Sequence, residues 1–277
     1  MDSLYLPHCM TINEIIEETP DVKTFRLAFA DDDVKERFDF RAGQFGLYSV
    51  FGQGEAPFCI SNSPTRKEYI ECSIKRVGRV TNAFHELNVG DTVGFRGPYG
   101  NSFPLEEMRG KNLIFAGGGI GLAPLRSLVW NCIDTRKNFR DITIVYGARS
   151  TADLVYKREL SEWVKMKRLN TVLTVDPGGE DETWEGEIGF VPTVLEQVGP
   201  SPKNAVVITC GPPIMIKFVL VSLQRMGFTP DQVITTLEMK MKCGLGKCGR
   251  CNIGSAYVCK QGPVFSYEQL KELPAEY

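Results

Sequence analysis

Short runs that alternate between hydrophobic and polar positions fill about the first hundred residues. In residues 69–77, Ile70, Cys72 and Ile74 alternate with polar residues, and residues 24–29 repeat the pattern. A period of two is typical of β-strands with one buried face. Gly and Pro separate the runs, and one short helix is expected over residues 81–87. Many short strands with frequent turns predict a small antiparallel barrel or sandwich.

The pattern changes near Gly110, where apolar runs begin to alternate with amphipathic ones. Strands are predicted at residues 112–116, 142–146, 171–175 and 205–209, and helices at residues 122–134, 153–167 and 214–226. Strand–helix alternation predicts a doubly wound parallel sheet with helices on both faces. The most apolar stretch, 205–223, contains Gly211-Pro212-Pro213 and Lys217, which predicts a buried strand, a turn and a helix and not a membrane span.

The chain becomes polar and rich in cysteine after Thr236. This last part has no apolar core of its own, so its order must come from the other domains and from a metal. We therefore predict three domains, with boundaries at residues 1–108, 109–235 and 236–277.

Charge and cysteine usage narrow the functional class. The 277 residues carry a net charge of -2, so no basic excess favours nucleic-acid binding. The N-terminal residues include acidic side chains and no long apolar run, which is unlike a signal peptide. Nine cysteines is an odd number, and five of them are scattered, mostly in apolar contexts. Free thiols are stable in a reducing compartment, so we expect a cytoplasmic protein.

Four cysteines near the C-terminus follow the spacing C-x4-C-x2-C-x7-C, namely Cys243, Cys248, Cys251 and Cys259. A C-x4-C-x2-C run with a fourth, distant cysteine is the plant-type pattern for a [2Fe–2S] cluster. A structural zinc site is one alternative, although such sites usually contain two C-x2-C pairs and only Cys248 and Cys251 form one here. Four free thiols are the other alternative.

A glycine-rich loop follows the strand predicted at residues 112–116 and opens the next helix. It contains Gly118, Gly119, Ile120 and Gly121, and Pro124 lies in the first helical turn. Small residues at a helix N-terminus let a diphosphate approach free backbone amides. The alternative is a tight turn without a ligand. The chain has no Gly-x-Gly-x-x-Gly fingerprint.

Three further positions are weaker candidates. Cys210 and Gly211 end a predicted parallel strand, where ligands bind, so the thiol is a candidate to face a nicotinamide; a buried cysteine before a turn is the alternative. Residues 78–81, with basic side chains nearby, are a second candidate phosphate site or a solvated strand end. Arg149 either meets a 2′-phosphate or caps the sheet edge. His8 and His85 have no readable partner and are expected to be structural.

Five motifs, taken in chain order, resemble those of the ferredoxin–NADP reductase superfamily. They are Phe-Cys-Ile-Ser at 58–61, Gly-Arg-Val-Thr at 78–81, Gly-Pro-Tyr-Gly at 97–100, Gly-Gly-Gly-Ile-Gly at 117–121 and Cys-Gly-Pro-Pro at 210–213. The cysteine module narrows the resemblance to electron-transfer subunits of anaerobic enzymes. These are the gamma subunit of sulfhydrogenase and the NAD(P)H- and FAD-binding subunits of anaerobic sulfite reductase and dihydroorotate dehydrogenase.

The resemblance implies an antiparallel FAD-binding barrel, an α/β domain that binds NAD(H) or NADP(H), and a C-terminal [2Fe–2S] module. It places Phe58, Cys59, Ile60 and Ser61 beside the isoalloxazine, and Gly78, Arg79, Val80 and Thr81 at the FAD diphosphate. It places Gly118, Gly119, Ile120 and Gly121 at the nicotinamide dinucleotide diphosphate. Cys59 and Cys210 are the implied catalytic contacts. The sequence departs from the superfamily at Ala56, where an arginine usually pairs with the FAD diphosphate.

The implied function is that of an oxidoreductase subunit. Electrons would move, in either direction, between NAD(P)H and a partner redox subunit through FAD and the cluster. The partner is expected to be a hydrogenase, a sulfite reductase or a related enzyme. Lys242, Lys247 and Arg250 would steer an acidic partner, or would simply solvate the loop. Two alternatives remain: a free-standing NAD(P)H reductase with a diffusible acceptor, and a cluster-bearing scaffold subunit without flavin.

Overall fold

The chain folds as two compact units, and the computed structural model describes residues 4–274. The first unit comprises the chain up to Phe103, together with Arg126–Asn131 and Leu237–Val264. The second comprises Pro104–Leu125, Cys132–Thr236 and the chain from Phe265 onward. None of the helices within residues 4–274 is long and apolar enough to cross a membrane.

The first unit is built on a six-stranded antiparallel sheet with the order β4-β3-β6-β1-β2-β5. Its strands are β1 (His8–Thr19), β2 (Val22–Phe29), β3 (Phe45–Val50), β4 (Gly54–Cys59), β5 (Ile70–Lys75) and β6 (Thr92–Tyr99). Two short helices accompany them, α1 (Asp32–Arg37) and α2 (Arg79–His85). One core joins all six strands and Phe84 of α2, so the alternation predicted the correct class of fold.

Strand β5 differs from the prediction of one buried face. Ile70, Cys72 and Ile74 are buried as expected, but Glu71 and Ser73 on the opposite face are buried as well. Glu71 forms ion pairs with Arg26 and Arg126, and the hydroxyls of Ser73 and Thr24 lie 2.7 Å apart. Polar residues can occupy both positions because each has a buried hydrogen-bond partner.

The second unit contains a seven-stranded sheet with the order β10-β9-β8-β7-β11-β12-β15, in which the pairs from β10 to β12 are parallel. Its strands are β7 (Asn112–Gly118), β8 (Ile142–Ala148), β9 (Asn170–Val175), β10 (Glu187–Ile188), β11 (Ala205–Cys210), β12 (Val233–Thr236) and β15 (Val264–Ser266). The helices are α3 (Leu105–Met108), α4 (Leu122–Asp134), α5 (Lys157–Lys165), α6 (Val191–Val198), α7 (Pro213–Arg225) and α9 (Tyr267–Lys271). The middle of α4, Arg126–Asn131, belongs to the first unit.

Most of the predicted elements of this unit are present, but one helix, α5, starts later in the chain than predicted. Helix α4 covers 122–134 as predicted, and α7 starts one residue earlier than expected. Helix α5 begins only at Lys157, because Thr151–Asp153 form a separate 3₁₀ turn and Tyr156 has a left-handed φ of 57°. The strand–turn–helix interpretation of residues 205–223 is confirmed.

The cysteine-rich segment Leu237–Val264 folds against the antiparallel sheet of the first unit. Before β15 begins at Val264, it contains the two short strands β13 (Asn252–Ile253) and β14 (Ala256–Tyr257) and helix α8 (Val258–Gln261). The C-terminal end of the segment is bound by Asn101, whose Nδ2 donates to the carbonyls of Gln261 (2.8 Å) and Val264 (2.7 Å). Hydrogen bonds from Asn101 therefore hold the C-terminal end of this segment in place within the first unit.

Candidate functional site

The cysteine loop keeps three of its thiols inside and one outside. Cys243, Cys251 and Cys259 are buried, whereas Cys248 is exposed. Cys248 lies close enough to Cys243, and Cys251 close enough to Cys259, to affect the pKa of these thiols. Within residues 4–274, no group of three or more His, Cys, Asp or Glu side chains is placed to hold a metal ion. A [2Fe–2S] cluster with four cysteine ligands needs two sulfurs on each iron, so the relevant arrangement is two pairs of thiols and not one group of three.

Backbone amides of the loop point at the sulfurs. The amides of Leu245 and Lys247 donate to Cys243 Sγ across 3.3 and 3.4 Å, and the amide of Gly246 donates to Cys259 Sγ across 3.1 Å. Amide donors stabilise thiolate sulfur, which is the form that binds iron. The donor set therefore fits an iron–sulfur cluster.

The same contacts separate the acidities of two of the thiols. Burial opposes ionisation of Cys243, but amide hydrogen bonds outweigh it and lower the pKa of this thiol to about 6. Burial, with Cys251 beside it, raises the pKa of Cys259 to about 12. The loop needs left-handed backbone to reach this shape, with φ of 73° at Gly244 and 70° at Gly246.

The predicted flavin residues lie at the end of β4 and just beyond it. The Phe58 ring packs against Tyr48 and Phe84, with centroids 5.8 Å away in each case. Cys59 is half-buried, while Ile60 and Ser61 are buried. Ser61 Oγ has no hydrogen-bond partner in the part of the chain that the structure describes. A buried hydroxyl in that state is suited to a ligand with polar atoms.

Residues 78–81 form the first turn of α2 and the residue before it. Thr81 Oγ1 accepts from the amides of Val77 (2.9 Å) and Gly78 (2.8 Å). The Arg79 guanidinium reaches the β3–β4 turn, where it donates to Gly52 O and Gln53 Oε1, each across 3.3 Å. Val80 packs on the same turn, since its Cγ2 lies 3.2 Å from a Cβ built at Gly54. Arg79 thus brings a cation beside the hairpin that carries Ala56.

The glycine loop of the second unit is shaped partly by packing and partly by open space. A Cβ at Gly118 would lie 2.4 Å from Met215 Sδ, and a Cβ at Gly121 would lie 2.6 Å from the carbonyl oxygen of Cys210. Gly119 differs, because its φ is 52° and nothing lies within 4 Å of its Cβ direction. Tyr146 supports the loop by donating to the Gly119 carbonyl across 3.2 Å. The tight-turn interpretation explains Gly118 and Gly121 but leaves the space above Gly119 for a ligand.

Cys210 lies beside this loop at the carboxyl end of β11. It is paired in register with Gly117 of β7, and Thr236 Oγ1 donates to its sulfur across 3.0 Å. Both Cys210 and Gly211 are half-buried. The fold therefore brings Cys210, Gly211 and the glycine loop together at the carboxyl ends of two central parallel strands, where ligands bind in such sheets.

Arg149 follows β8 at the same edge of the sheet. It is exposed and pairs with Asp153 across 3.1 Å. Burial raises the pKa of Asp176 nearby, and Arg149 opposes that increase while Asp153 adds to it. Arg149 thus pairs with Asp153 and lies near Asp176 in a mixed-charge group.

Sequence reasoning missed several of these supporting residues. The sequence motifs do not point to Tyr146 or Thr236, nor to the buried Arg96 and Arg126 or the half-buried Glu55. Each acts on an element distant in sequence, so no local spacing reveals it. The only usable signal was the Gly-Pro-Tyr-Gly motif at 97–100, which directly follows Arg96.

Three domain families match the chain in series. The oxidoreductase FAD-binding domain matches residues 9–103, and the oxidoreductase NAD-binding domain matches residues 115–220. The iron–sulfur cluster binding domain of dihydroorotate dehydrogenase B matches residues 238–271. The predicted domain boundaries themselves stay predictions.

Full-length relatives agree with this series. The chain is 38% identical to sulfhydrogenase 1 subunit gamma of Pyrococcus furiosus, covering 99% of this chain and 95% of that one. This chain belongs to the family of FAD-, NAD- and iron–sulfur-binding electron-transfer subunits. Another relative is a probable electron-transfer subunit of dihydroorotate dehydrogenase B (NAD(+)) from Methanocaldococcus jannaschii, 38% identical over 96% of this chain and 91% of that one. The family membership confirms the predicted oxidoreductase subunit with FAD, nicotinamide and cluster sites.

Solved structures share the fold. The NADH-dependent reduced ferredoxin–NADP oxidoreductase superposes with a TM-score of 0.76 at 23% identity, covering 100% of this chain and 95% of that chain. A ferredoxin–NADP+ reductase from Neisseria gonorrhoeae gives a TM-score of 0.69 at 19% identity, over 82% of this chain and 96% of that chain. At these identities the likeness concerns the fold alone, and it confirms the predicted class. The resemblance to anaerobic sulfite reductase stays a prediction.

Proposed function

We propose that this subunit takes a hydride from NADH or NADPH and delivers electrons to a partner redox subunit through the exposed edge of the cysteine loop, in either direction. The observation that carries the proposal is the asymmetry of the four thiols: three are buried and Cys248 alone is exposed. Exposure of one ligand gives the cluster one short route to a partner.

The surface around Cys248 indicates the charge of that partner. Residues 239–260 contain no Asp or Glu and five basic side chains, all exposed. These are Lys240, Lys242, Lys247, Arg250 and Lys260. The chain as a whole carries a net charge of -2, so this basic face is a local feature. An acidic surface on the partner would be attracted to it and oriented by it.

The flavin site is proposed at residues 58–61 and 78–81. Bound FAD accepts two electrons with a hydride and releases them one at a time. Phe58, Cys59, Ile60 and Ser61 would flank the ring system, and the unsatisfied hydroxyl of Ser61 would gain a partner. Gly78, Val80 and Thr81 would offer the diphosphate the first turn of α2, and Arg79 would supply the positive charge that Ala56 lacks.

The nicotinamide site is proposed at the carboxyl ends of β7 and β11. The diphosphate would bind at the start of α4, against Gly118, Gly119, Ile120 and Gly121. The open space beside Gly119 would accommodate it. Cys210, oriented by Thr236, would contact the nicotinamide. Arg149 would meet the adenosine ribose. Its pairing with Asp153 is compatible with both NADH and NADPH, so the ratio of kcat/KM for the two nucleotides decides between them.

The partner is proposed to be a hydrogenase, an oxidoreductase of the dihydroorotate dehydrogenase type or a related enzyme, because the full-length relatives are subunits of such complexes. A cytoplasmic location is proposed because none of the five cysteines outside the cluster loop forms a disulfide within the described chain.

Spectroscopy of the purified protein tests the proposal. Anaerobic addition of NADH or NADPH is expected to bleach the flavin absorption and to produce the electron paramagnetic resonance signal of a reduced [2Fe–2S] cluster. Cys248→Ser should lower the iron content and the cluster signal while the flavin still bleaches. Cys9→Ser removes an exposed thiol outside the loop and serves as the control. Zinc without iron, or a cluster without flavin, would overturn the proposal; the second result would favour the scaffold alternative.

Electron delivery tests the basic face. At low ionic strength, the NADH- or NADPH-reduced protein should reduce acidic cytochrome b5 faster than basic cytochrome c. The double variant Lys247→Glu/Arg250→Glu should slow cytochrome b5 reduction by about tenfold or more and reduce its salt dependence, without changing flavin bleaching. Lys167→Glu/Arg168→Glu makes the same charge change on the second unit and should have no effect. Equal rates with both acceptors in all variants would favour the free-standing reductase.

A further inference from the structure

Arg96 of β6 is a buried arginine whose charge is matched by one carboxylate. Only 6% of the residue is exposed. Its Nε donates to Glu55 Oε2 across 2.9 Å, and its Nη2 donates to Glu55 Oε1 across 2.5 Å. This two-point contact fixes the plane of the guanidinium, because both nitrogens bind the same carboxylate. The remaining donors are thereby aimed away from Glu55.

Those donors reach the main chain of the cysteine loop. Nη2 donates to the carbonyl of Lys242 across 3.3 Å, and Nη1 donates to the carbonyl of Cys243 across 3.4 Å. Cys243 is the first of the four cysteines. The side chain of Arg96 therefore binds the backbone of a cluster ligand from a strand 147 residues away in sequence.

Tyr99, three residues further along β6, completes the attachment. Its ring lies 2.7 Å from a Cβ built at Gly244, so only glycine fits between the ring and the loop. Its hydroxyl accepts from Arg96 Nη1 across 3.5 Å. The loop is thus held by hydrogen bonds at residues 242 and 243 and by shape at Gly244.

We infer that the Arg96–Glu55 ion pair positions Cys243 and sets the charge balance, and hence the reduction potential, of the cluster. The inference rests on the proposed role of the four cysteines. A reduced cluster carries one more negative charge than an oxidised one, so a nearby cation favours reduction and a nearby anion opposes it. Because Arg96 and Glu55 neutralise each other, removing either one leaves an unbalanced charge of known sign beside the loop.

Two single variants should therefore move the potential in opposite directions. Arg96→Gln leaves Glu55 unbalanced, and the cluster midpoint potential should become more negative. Glu55→Gln leaves Arg96 unbalanced, and the potential should become more positive. The double variant Arg96→Gln/Glu55→Gln should return toward the wild-type value. A purely structural role would not produce opposite signs, because it would weaken the loop in both single variants.

The measurement is an anaerobic redox titration of the full-length holoprotein, monitored by the electron paramagnetic resonance signal of the cluster. The matched control is the exposed pair Arg109–Glu106 in the second unit, whose partners lie 2.8 Å apart. Arg109→Gln and Glu106→Gln should leave the potential unchanged. Shifts of the same sign for Arg96→Gln and Glu55→Gln, or no shift in either, would overturn the inference.

Arg96→Lys keeps the charge but loses the planar fork, so it separates position from charge. We expect a potential near that of the wild type, with iron released to a chelator about 10-fold faster, the lower end of the effect of losing a partner that orients a metal ligand. If Arg96→Gln does not retain its cluster, Arg96→Lys and Glu55→Gln carry the test, and unchanged iron release together with an unchanged Glu55→Gln potential would refute it. Absence of a [2Fe–2S] signal from the wild-type protein would instead refute the proposed function.

Discussion

The buried carboxylate of Glu71 accepts a hydrogen bond from Arg126 Nη1 across 2.6 Å. Its other oxygen accepts from Arg26, from Nη2 across 2.8 Å and from Nε across 3.1 Å. Arg126 Nη1 also donates to the carbonyl of Ser61 across 3.0 Å. The backbone position of Ser61, a proposed flavin residue, is therefore fixed by the buried Glu71–Arg126 ion pair. Loss of that pair would disturb the proposed flavin site.

Glu71→Gln should destabilise the protein by about 3–5 kcal/mol, because it leaves Arg126 buried without a counter-charge. Urea unfolding of the holoprotein, followed by far-UV circular dichroism, gives the free energy of unfolding. Glu14→Gln is the control, since Glu14 pairs with the same Arg26 at an exposed position and its loss should cost at most about 1 kcal/mol. Similar losses in the two variants would contradict the importance of the buried pair.

Gly119→Ala should weaken nucleotide binding beyond its effect on stability. Gly119 and Gly110 both have left-handed φ, 52° and 72°, and neither has an atom within 4 Å of a built Cβ. Alanine at either position should therefore cost about 1–2 kcal/mol of stability. Only Gly119→Ala should raise the Kd for NADH or NADPH, by about tenfold, which corresponds to about 1.4 kcal/mol. A Kd that rises equally in both variants would show that the diphosphate does not bind at this loop.

Thr236→Val should slow hydride transfer without weakening nucleotide binding. The substitution keeps the shape of the side chain and removes the hydroxyl that donates to Cys210 Sγ. Loss of one neutral hydrogen bond, worth about 1 kcal/mol, corresponds to a roughly fivefold slower reduction of the flavin in stopped-flow absorbance. Thr236→Ser keeps the donor and should restore the wild-type rate. If Thr236→Ser is as slow as Thr236→Val, packing and not the hydrogen bond positions the thiol.

Cys132 should make the protein less stable as the pH rises above 9. Burial raises the pKa of this thiol to about 12, although Arg136 opposes the increase. The unfolded chain releases the proton near pH 8.5, whereas the folded chain keeps it, so the stabilisation is complete below pH 8.5 and is lost as the pH rises toward 12.

Between pH 9 and about 11, the free energy of unfolding of the wild type should fall more steeply than that of Cys132→Ala, by up to about 1.4 kcal/mol per pH unit. Only the slopes are compared, because alanine also leaves a cavity that lowers stability at every pH. Cys9→Ala, which changes an exposed thiol, should keep the wild-type slope. Parallel slopes for wild type and Cys132→Ala would show that this thiol ionises equally in both states.

Much of the candidate site was predictable because its chemistry is encoded at short range. The spacing of the four cysteines and the glycine run of residues 117–121 both lie within single segments. What could not be predicted are the roles of Glu71 and Ser73. A period of two assigned them to the solvent face of β5, but ion pairs and a hydroxyl contact bury them. Periodicity reports which residues share a face, and packing decides what covers it.

By itself, the sequence determined the two sheet units, the order of the flavin, nicotinamide and iron–sulfur segments, and the spacing of the four cysteines that are proposed as ligands. Only the tertiary structure decided that Cys248 is the exposed member of the four, that Thr236 donates a hydrogen bond to Cys210, and that Arg96 binds the carbonyl of Cys243. The physical reason is range. Hydrophobic period and ligand spacing act within a segment, whereas a hydrogen bond between strands depends on which strands become neighbours in the sheet.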